Sequence, residues 1–221
     1  MVGKRKYDEG CAVSHALDLI GERWALLVVR ELVLGPKRFT DLRQGIPGAS
    51  PDVLAQRLRE LIAAGVIRQS KLPPPAASQV YELTQWGTEL EPVVTHLARW
   101  GSRSPSLNPA AASSVDSLVL SLRALFDRQA AQGFSATIAL RLGENQFSIT
   151  IADGELHLTR GVAERPAAAL DTDRPTLAAL LYGGRRLDDA ARAGDATISG
   201  KTAVLTRFLR LFPLPQPAGN A

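Results

Sequence analysis

The sequence predicts an α+β chain. A helical half with one β-hairpin comes first, and a domain of antiparallel sheet covered by helices follows. Three observations predict this. Residues 50–67 spell a capped helix with one apolar face and one Gln/Arg face, set between a short helix-turn and a hairpin. Residues 101–115, GSRSPSLNPAAASSV, are small, polar and proline-bearing, the composition of a linker. Beyond residue 116 the apolar pattern changes to short alternating runs divided by turn residues.

The 221 residues suit one or two domains, and the 45% apolar content suffices for packed cores. No stretch approaches the roughly 20 apolar residues that span a bilayer. The N-terminus MVGKRKYDEG has charge but no apolar segment of a secretory signal. Cys11 stands alone, so no intrachain disulfide forms, and the expected location is the cytoplasm. The formal charge of +4 is unevenly placed. Residues 37–72 hold seven bases (Lys37, Arg38, Arg43, Arg57, Arg59, Arg68, Lys71) against three acids (Asp41, Asp52, Glu60), an excess equal to that of the whole chain. Such a field suits a polyphosphate partner. His15, His96 and His157 are scattered and lack companions at metal spacing, so no metal, cofactor or catalytic group is expected.

Lys4, Arg5 and Lys6 form a basic arm. The first helix carries apolar Val13, Ala16, Leu17 and Ile20 and ends at Gly21. A second runs from about Arg23 to Leu34, with Trp24, Leu27, Val28 and Leu32 inward, until Gly35-Pro36 breaks it. A third spans about Phe39 to Gln44, capped by Thr40 or its neighbour, with Leu42 inward. Gly45–Ala49 turns into the fourth, where Ser50 is the N-cap, Pro51 occupies the first helical position and Gly65 is the left-handed stop. Leu54, Leu58, Leu61 and Ile62 make its apolar face. Asp52, Gln56, Arg59 and Ala63 lie opposite, with Arg57 on the flank. A short helix, a turn and a longer helix with a polar outer face is the helix-turn-helix arrangement. Strands 66–71 and 79–84 around the loop LPPPAAS make a wing. Thr84 caps another helix with Trp86, Leu90, Val93, Val94, Leu97 and Trp100 on one side, and Pro92 bends it or begins a fresh segment.

Cys11 with ALDLIGERWALLVVREL, then GPKRFTDLRQGIPGASPDVLAQRLREL, AAGVI and VYELTQWGTEL, resembles the HxlR family of bacterial winged-helix transcription regulators. The resemblance implies a homodimer, built from the first and last helices of residues 1–103, on double-stranded operator DNA. Two recognition helices would then lie about one DNA turn, roughly 34 Å, apart. Val13, Leu17, Leu90, Val93, Val94, Leu97 and Trp100 are the candidate dimer contacts; the stripe on the last helix fits equally a face packed within one subunit. Gln56, Arg57 and Arg59 are the expected groove contacts, since Arg and Gln make paired hydrogen bonds to guanine and adenine. Ser50, Lys37 and Arg38 are expected at phosphates, which position the protein without reading sequence. Residues 72–80 contain no Lys or Arg, so the wing is expected to touch DNA weakly or not at all. Several HxlR-type regulators sense oxidants with a cysteine ahead of the first helix. Cys11 stands there, near a helix N-terminus and basic residues that favour thiolate. The alternative is an inert family residue.

With 104–115 as linker, residues 116–213 form the second domain and 214–221 a loose tail. Leu118, Leu122, Leu125 and Phe126 mark a helix to Gly133. Strands SATIALRL, QFSITI and ELHLTRG follow, joined by turns at Gly143–Asn145 and Asp153-Gly154, and Ala169–Thr172 adds a fourth. Asp173-Arg174-Pro175 opens a helix to Leu181; a short helix at 190–193, a strand at 196–199 and a helix at 201–211 complete it. The words D…TLAALLYG and AGDATISG resemble SCP2-type sterol-carrier domains. That resemblance implies an apolar tunnel for a hydrophobic small molecule; a filled core that props a dimer is the alternative. The functional expectation is a cytoplasmic, dimeric DNA-binding regulator, not an enzyme, responsive to an apolar effector or to thiol oxidation. The competing class is a carrier of hydrophobic ligands whose winged helix serves mainly as a dimer module.

Overall fold

The computed structural model describes residues 6–75, 77–108, 111 and 113–219. Lys4 and Arg5 of the basic arm, three linker residues (109, 110, 112) and the last two of the tail lie outside them. The chain divides into two compact units, one ending at Val94 and the other beginning at Thr95.

The first unit orders α1 (Ala12–Ile20), α2 (Ala25–Leu32), α3 (Phe39–Gly45), α4 (Pro51–Ala63), the antiparallel hairpin β1 (Ile67–Lys71) and β2 (Gln79–Leu83), and α5 (Gln85–Thr88); α6 (Leu90–Gly101) crosses the division. Helix α4 forms as its caps dictate. Ser50 Oγ accepts from the Val53 N–H at 3.3 Å with Pro51 at the first position. At the far end the N–H groups of Gly65 and Val66 donate to the carbonyls of Ile62 and Leu61, both at 2.9 Å, with Gly65 at φ +73°. This double bond closes orphan carbonyls, and the left-handed backbone favours glycine. Leu54, Leu58 and Leu61 are buried with Val28, Leu42, Ile46 and Ile67 in one core. Ile62 is a correction, because it is 37% exposed. One residue beyond Leu61 is a rotation of about 100°, enough to carry it off the buried stripe.

Other boundaries differ for local reasons. Helix α2 starts two residues late because Trp24 takes a left-handed conformation, φ +78°, as its N-cap. Its ring fills space beside Gly48, where an added Cβ would lie 2.7 Å from the indole. The cap of α3 is Arg38, not Thr40; its backbone N–H donates to Asp41 Oδ2 at 3.0 Å. Pro92 sits in the first turn of a fresh helix, where its missing N–H removes no helical bond. Thr84 caps α5 through the Gly87 N–H at 2.9 Å. Gly87 packs so near the hairpin that a Cβ would lie 2.0 Å from the Val66 carbonyl oxygen.

The second unit orders α7 (Val115–Leu125), β3 (Ala136–Leu142), β4 (Asn145–Ala152), β5 (Glu155–Arg160), β6 (Ala168–Thr172), α8 (Arg174–Tyr182), α9 (Leu187–Arg192), β7 (Ala196–Gly200) and α10 (Thr202–Leu209). The class is α+β as expected, but the sheet is mixed. Its order is β5-β4-β3-β6-β7, and β6 pairs parallel to β3. After β5 at the edge, residues 161–167 return across three strand spacings, roughly 14 Å, and lay β6 down in the direction of β3. Alternation puts Ile138, Leu140, Phe147, Ile149, Ile151, Leu158 and Leu170 on the buried face. Helix α7 ends at Leu125 rather than near Gly133; turns follow, held by the Asp127 N–H on the Leu211 carbonyl at 2.8 Å. The tail is also a correction. Ala218 N–H donates to the Arg103 carbonyl at 2.7 Å, so the tail is tied down rather than loose.

Asp173 caps α8 by accepting from the Thr176 N–H at 2.7 Å, and Thr176 hydrogen bonds hold its carboxyl below the ordinary carboxylate range. A depressed pKa stabilises the fold above the unfolded-state value and stops doing so as pH falls through the folded one. Asp173→Ala should therefore cost about 1 kcal/mol near neutrality. The deficit should shrink in strong acid, and urea titrations at two pH values check it.

Candidate nucleic-acid interface

The helix-turn-helix is fastened by a carboxylate that the sequence pattern hides. Glu31 lies on the inward side of α2 and is 0% exposed. A charge so placed needs partners. Lys37 Nζ lies 2.5 Å from its Oε2, and Arg30 donates to its Oε1 at 2.8 Å. Arg30 also reaches the Gly45 carbonyl at 3.4 Å. Gly45 leaves room for this, since a Cβ there would meet Glu31 Oε2 at 2.3 Å. The expectation of Lys37 as a phosphate contact is thereby corrected. Its side chain is only 14% exposed and neutralises Glu31. The signal in the sequence was an acid at a core position of α2.

On α4 the residues expected outward separate into two groups. Gln56 and Arg59 are exposed; Gln56 Nε2 donates to Glu60 Oε1 and Arg59 donates to Gln56 Oε1, each at 2.7 Å. Arg57 is a correction. Its side chain is 13% exposed, with Nη1 2.5 Å from Glu60 and 3.5 Å from Glu22. Position 57 lies one step, about 100°, from the outward Gln56 and next to buried Leu58, so its guanidinium runs back along the flank. Glu22 and Glu60 are the partners that the motif alone did not identify. Arg38, Arg43, Arg59 and Lys71 are exposed and have no carboxylate partner among the described residues. Arg68 pairs with Glu82 across the hairpin at 2.9 Å. Ser50 caps α4 at the helix end where backbone N–H groups favour an anion.

Cys11 is the N-cap of α1 and is exposed. The backbone N–H groups of Ser14 and then Val13, at the start of α1, lower its thiol pKa, although its Sγ makes no capping hydrogen bond. On α1, Val13 and Leu17 are exposed; on α6 so are Val93, Leu97 and Trp100. Leu90 and Val94 instead pack against the core of their own unit, which fits the alternative left open for the α6 stripe. Among the described residues, no three His, Cys, Asp or Glu side chains group as metal ligands, and no helix is long and apolar enough to cross a membrane.

Two family models match the chain: HxlR-like helix-turn-helix over residues 19–108, and alkyl sulfatase C-terminal over residues 106–220. The second match does not carry the sterol-carrier name that the sequence suggests. The HTH-type transcriptional regulator YdeP of Bacillus subtilis is 39% identical over 97 residues, which cover 43% of this chain and 74% of that protein. The HTH-type transcriptional regulator sll1512 of Synechocystis is 36% identical over 42% of this chain and 68% of its own length. A solved structure of the redox regulator HypR in its oxidized form is 31% identical, covers 44% of this chain and all of that one, and superposes with a TM-score of 0.41.

Removing one partner of a buried charge cluster leaves the others uncompensated. Glu31→Ala should destabilise the first unit by about 3 kcal/mol, read as an earlier denaturant midpoint. A loss below about 0.5 kcal/mol, the range of an ordinary surface change, would contradict this account.

Proposed function

The chain belongs to the HxlR-like helix-turn-helix family of transcriptional regulators through residues 19–108 and to the alkyl sulfatase C-terminal family through residues 106–220; we propose that it acts as a cytoplasmic homodimer whose α4 enters the major groove of operator DNA. The observation that carries the reading is α4 itself, a helix fixed at both ends that turns Gln56 and Arg59 to solvent. Both residue types pair with base edges. Arg38, Arg43 and Lys71 supply exposed positive charge for phosphates, and Ser50 supplies the capped helix end. Lys37 and Arg57 act behind this surface, within the ion pairs that hold it. Val13, Leu17, Val93, Leu97 and Trp100 are the apolar positions offered to the second subunit, being large and exposed on their helices.

The second unit is proposed to receive an apolar effector, in keeping with its sterol-carrier resemblance. A cleft of about 600 Å³ there is lined by Leu180, Leu181, Leu187, Leu209 and Phe212 together with the polar Arg185, Arg186, Asp188, Thr206 and Arg210. An effector acts only if it binds the DNA-competent and incompetent states with different affinity. Cys11 is the proposed second input. It is exposed, and the backbone N–H groups at the start of α1 favour thiolate, the nucleophilic form.

A salt titration of DNA binding tests the central claim, because counterion release makes affinity fall steeply with salt. Arg59→Ala should lower the preference for a selected duplex over random DNA by about 1–3 kcal/mol. Arg38→Ala should weaken both equally and reduce the salt slope by about one. Identical effects of the two variants on both DNAs would refute the division of labour. For Cys11, alkylation by iodoacetamide should set in at lower pH than for an ordinary thiol near pH 8.5, and oxidant-driven DNA release should vanish in Cys11→Ser. Release that persists in that variant removes the thiol from the mechanism.

A further inference from the structure

Val53 is the large apolar side chain in the first turns of α4 that the fold leaves out of its core. It is 39% exposed, whereas Leu54 beside it is wholly buried. Its neighbours on the solvent side, Asp52 and Gln56, are polar and exposed. Val53 is also held still. Its N–H is bonded to Ser50 Oγ at 3.3 Å, and a β-branched side chain in a helix has essentially one χ1 rotamer. It precedes Gln56 by three positions, so the two share one side of the helix, one turn apart.

A major groove presents hydrogen-bonding groups at every base pair and a single apolar one, the 5-methyl of thymine. We infer that Val53 is a specificity-determining residue that packs on a thymine methyl in each half-site, next to the base pair read by Gln56. The inference rests on the reading of α4 as the groove helix, and it assigns to that helix a contact that its charged residues cannot make. It places an A·T pair under the N-terminal half of α4. Leaving Val53 on the surface then has a reason beyond packing, since the methyl covers it on binding.

The probe is a duplex enriched from a randomised library by the full-length chain, compared with copies in which each thymine in turn is replaced by deoxyuridine. That replacement removes one methyl and no hydrogen-bonding group. The wild type should lose roughly fourfold in affinity per half-site at one thymine position, the worth of one buried methylene-sized group. Val53→Ser should bind the thymine duplex more weakly by a similar factor and be indifferent to deoxyuridine at that position. Serine matches valine in helix propensity, so the helix stays formed. Wild-type binding indifferent to deoxyuridine at every position, or a Val53→Ser variant that keeps the penalty, overturns the assignment while salt-dependent, sequence-selective binding leaves the DNA reading standing. Failure to enrich any sequence overturns that reading and this assignment together.

Discussion

The first unit depends on one buried negative charge. Glu31 has no water to solvate it, and an uncompensated carboxylate in that position would cost several kcal/mol. The chain compensates it from two directions. Arg30 comes from the same helix and also reaches the end of α3 at Gly45. Lys37 comes from the segment ahead of α3, whose backbone exchanges hydrogen bonds with Tyr81 of the hairpin at 2.8 and 3.0 Å. One carboxylate thus ties α2 to both ends of α3 and, through Lys37, to β2. The turn from α3 into α4 starts from that fixed point. Hydrophobic packing of Leu42, Leu54 and Leu58 would hold these helices together, but it is tolerant of sliding; a charge held by two directed bonds is not.

The second unit repeats the device at another place. Asp116, in the first turn of α7, is buried and ion-paired with Arg160 at the end of β5. Arg160 also donates to Asn145 Oδ1 at 2.6 Å and lies over the Phe147 ring at 4.9 Å. The pair fastens the first helix to the sheet edge, with apolar rows such as Leu158–Ile149–Ile138 beneath. In both units a lone carboxylate on an inward helical face receives an arginine or lysine that composition alone assigns to the surface.

That explains what was legible in the sequence. Periodicity and caps fixed the existence of nearly every element, because Ser50-Pro51, Gly65, Thr84 and Asp173 each specify a local backbone outcome. The alternation of 136–160 gave the three-strand meander. The parallel pairing of β6 was not legible, since the length and composition of residues 161–167 do not say which neighbour the next strand chooses. Nor were the roles of individual cations. Lys37, Arg38, Arg57 and Arg59 look alike as a basic run, yet two of them are consumed by Glu31, Glu22 and Glu60. Which arginine is spent depends on carboxylates placed by tertiary structure, and nothing in the sequence links Glu22 to Arg57 across the 34 residues between them.

Those ion pairs also shape what binding can gain. In the free protein Gln56 uses both ends of its amide, donating to Glu60 and accepting from Arg59. A paired contact to adenine requires both ends. On the proposed reading, Gln56 exchanges two bonds for two, and Arg59 gives up the Gln56 carbonyl. Only the excess over those exposed contacts, each worth little in water, appears as binding energy. Glu60 is also ion-paired with Arg57 at 2.5 Å, a contact that does not involve Gln56. On the proposed reading, discrimination among base pairs rests on shape and direction at Val53, Gln56 and Arg59, while the overall strength of binding rests on the exposed charges of Arg38, Arg43 and Lys71. Sequence preference and salt dependence then belong, on that reading, to different residues of the same small surface.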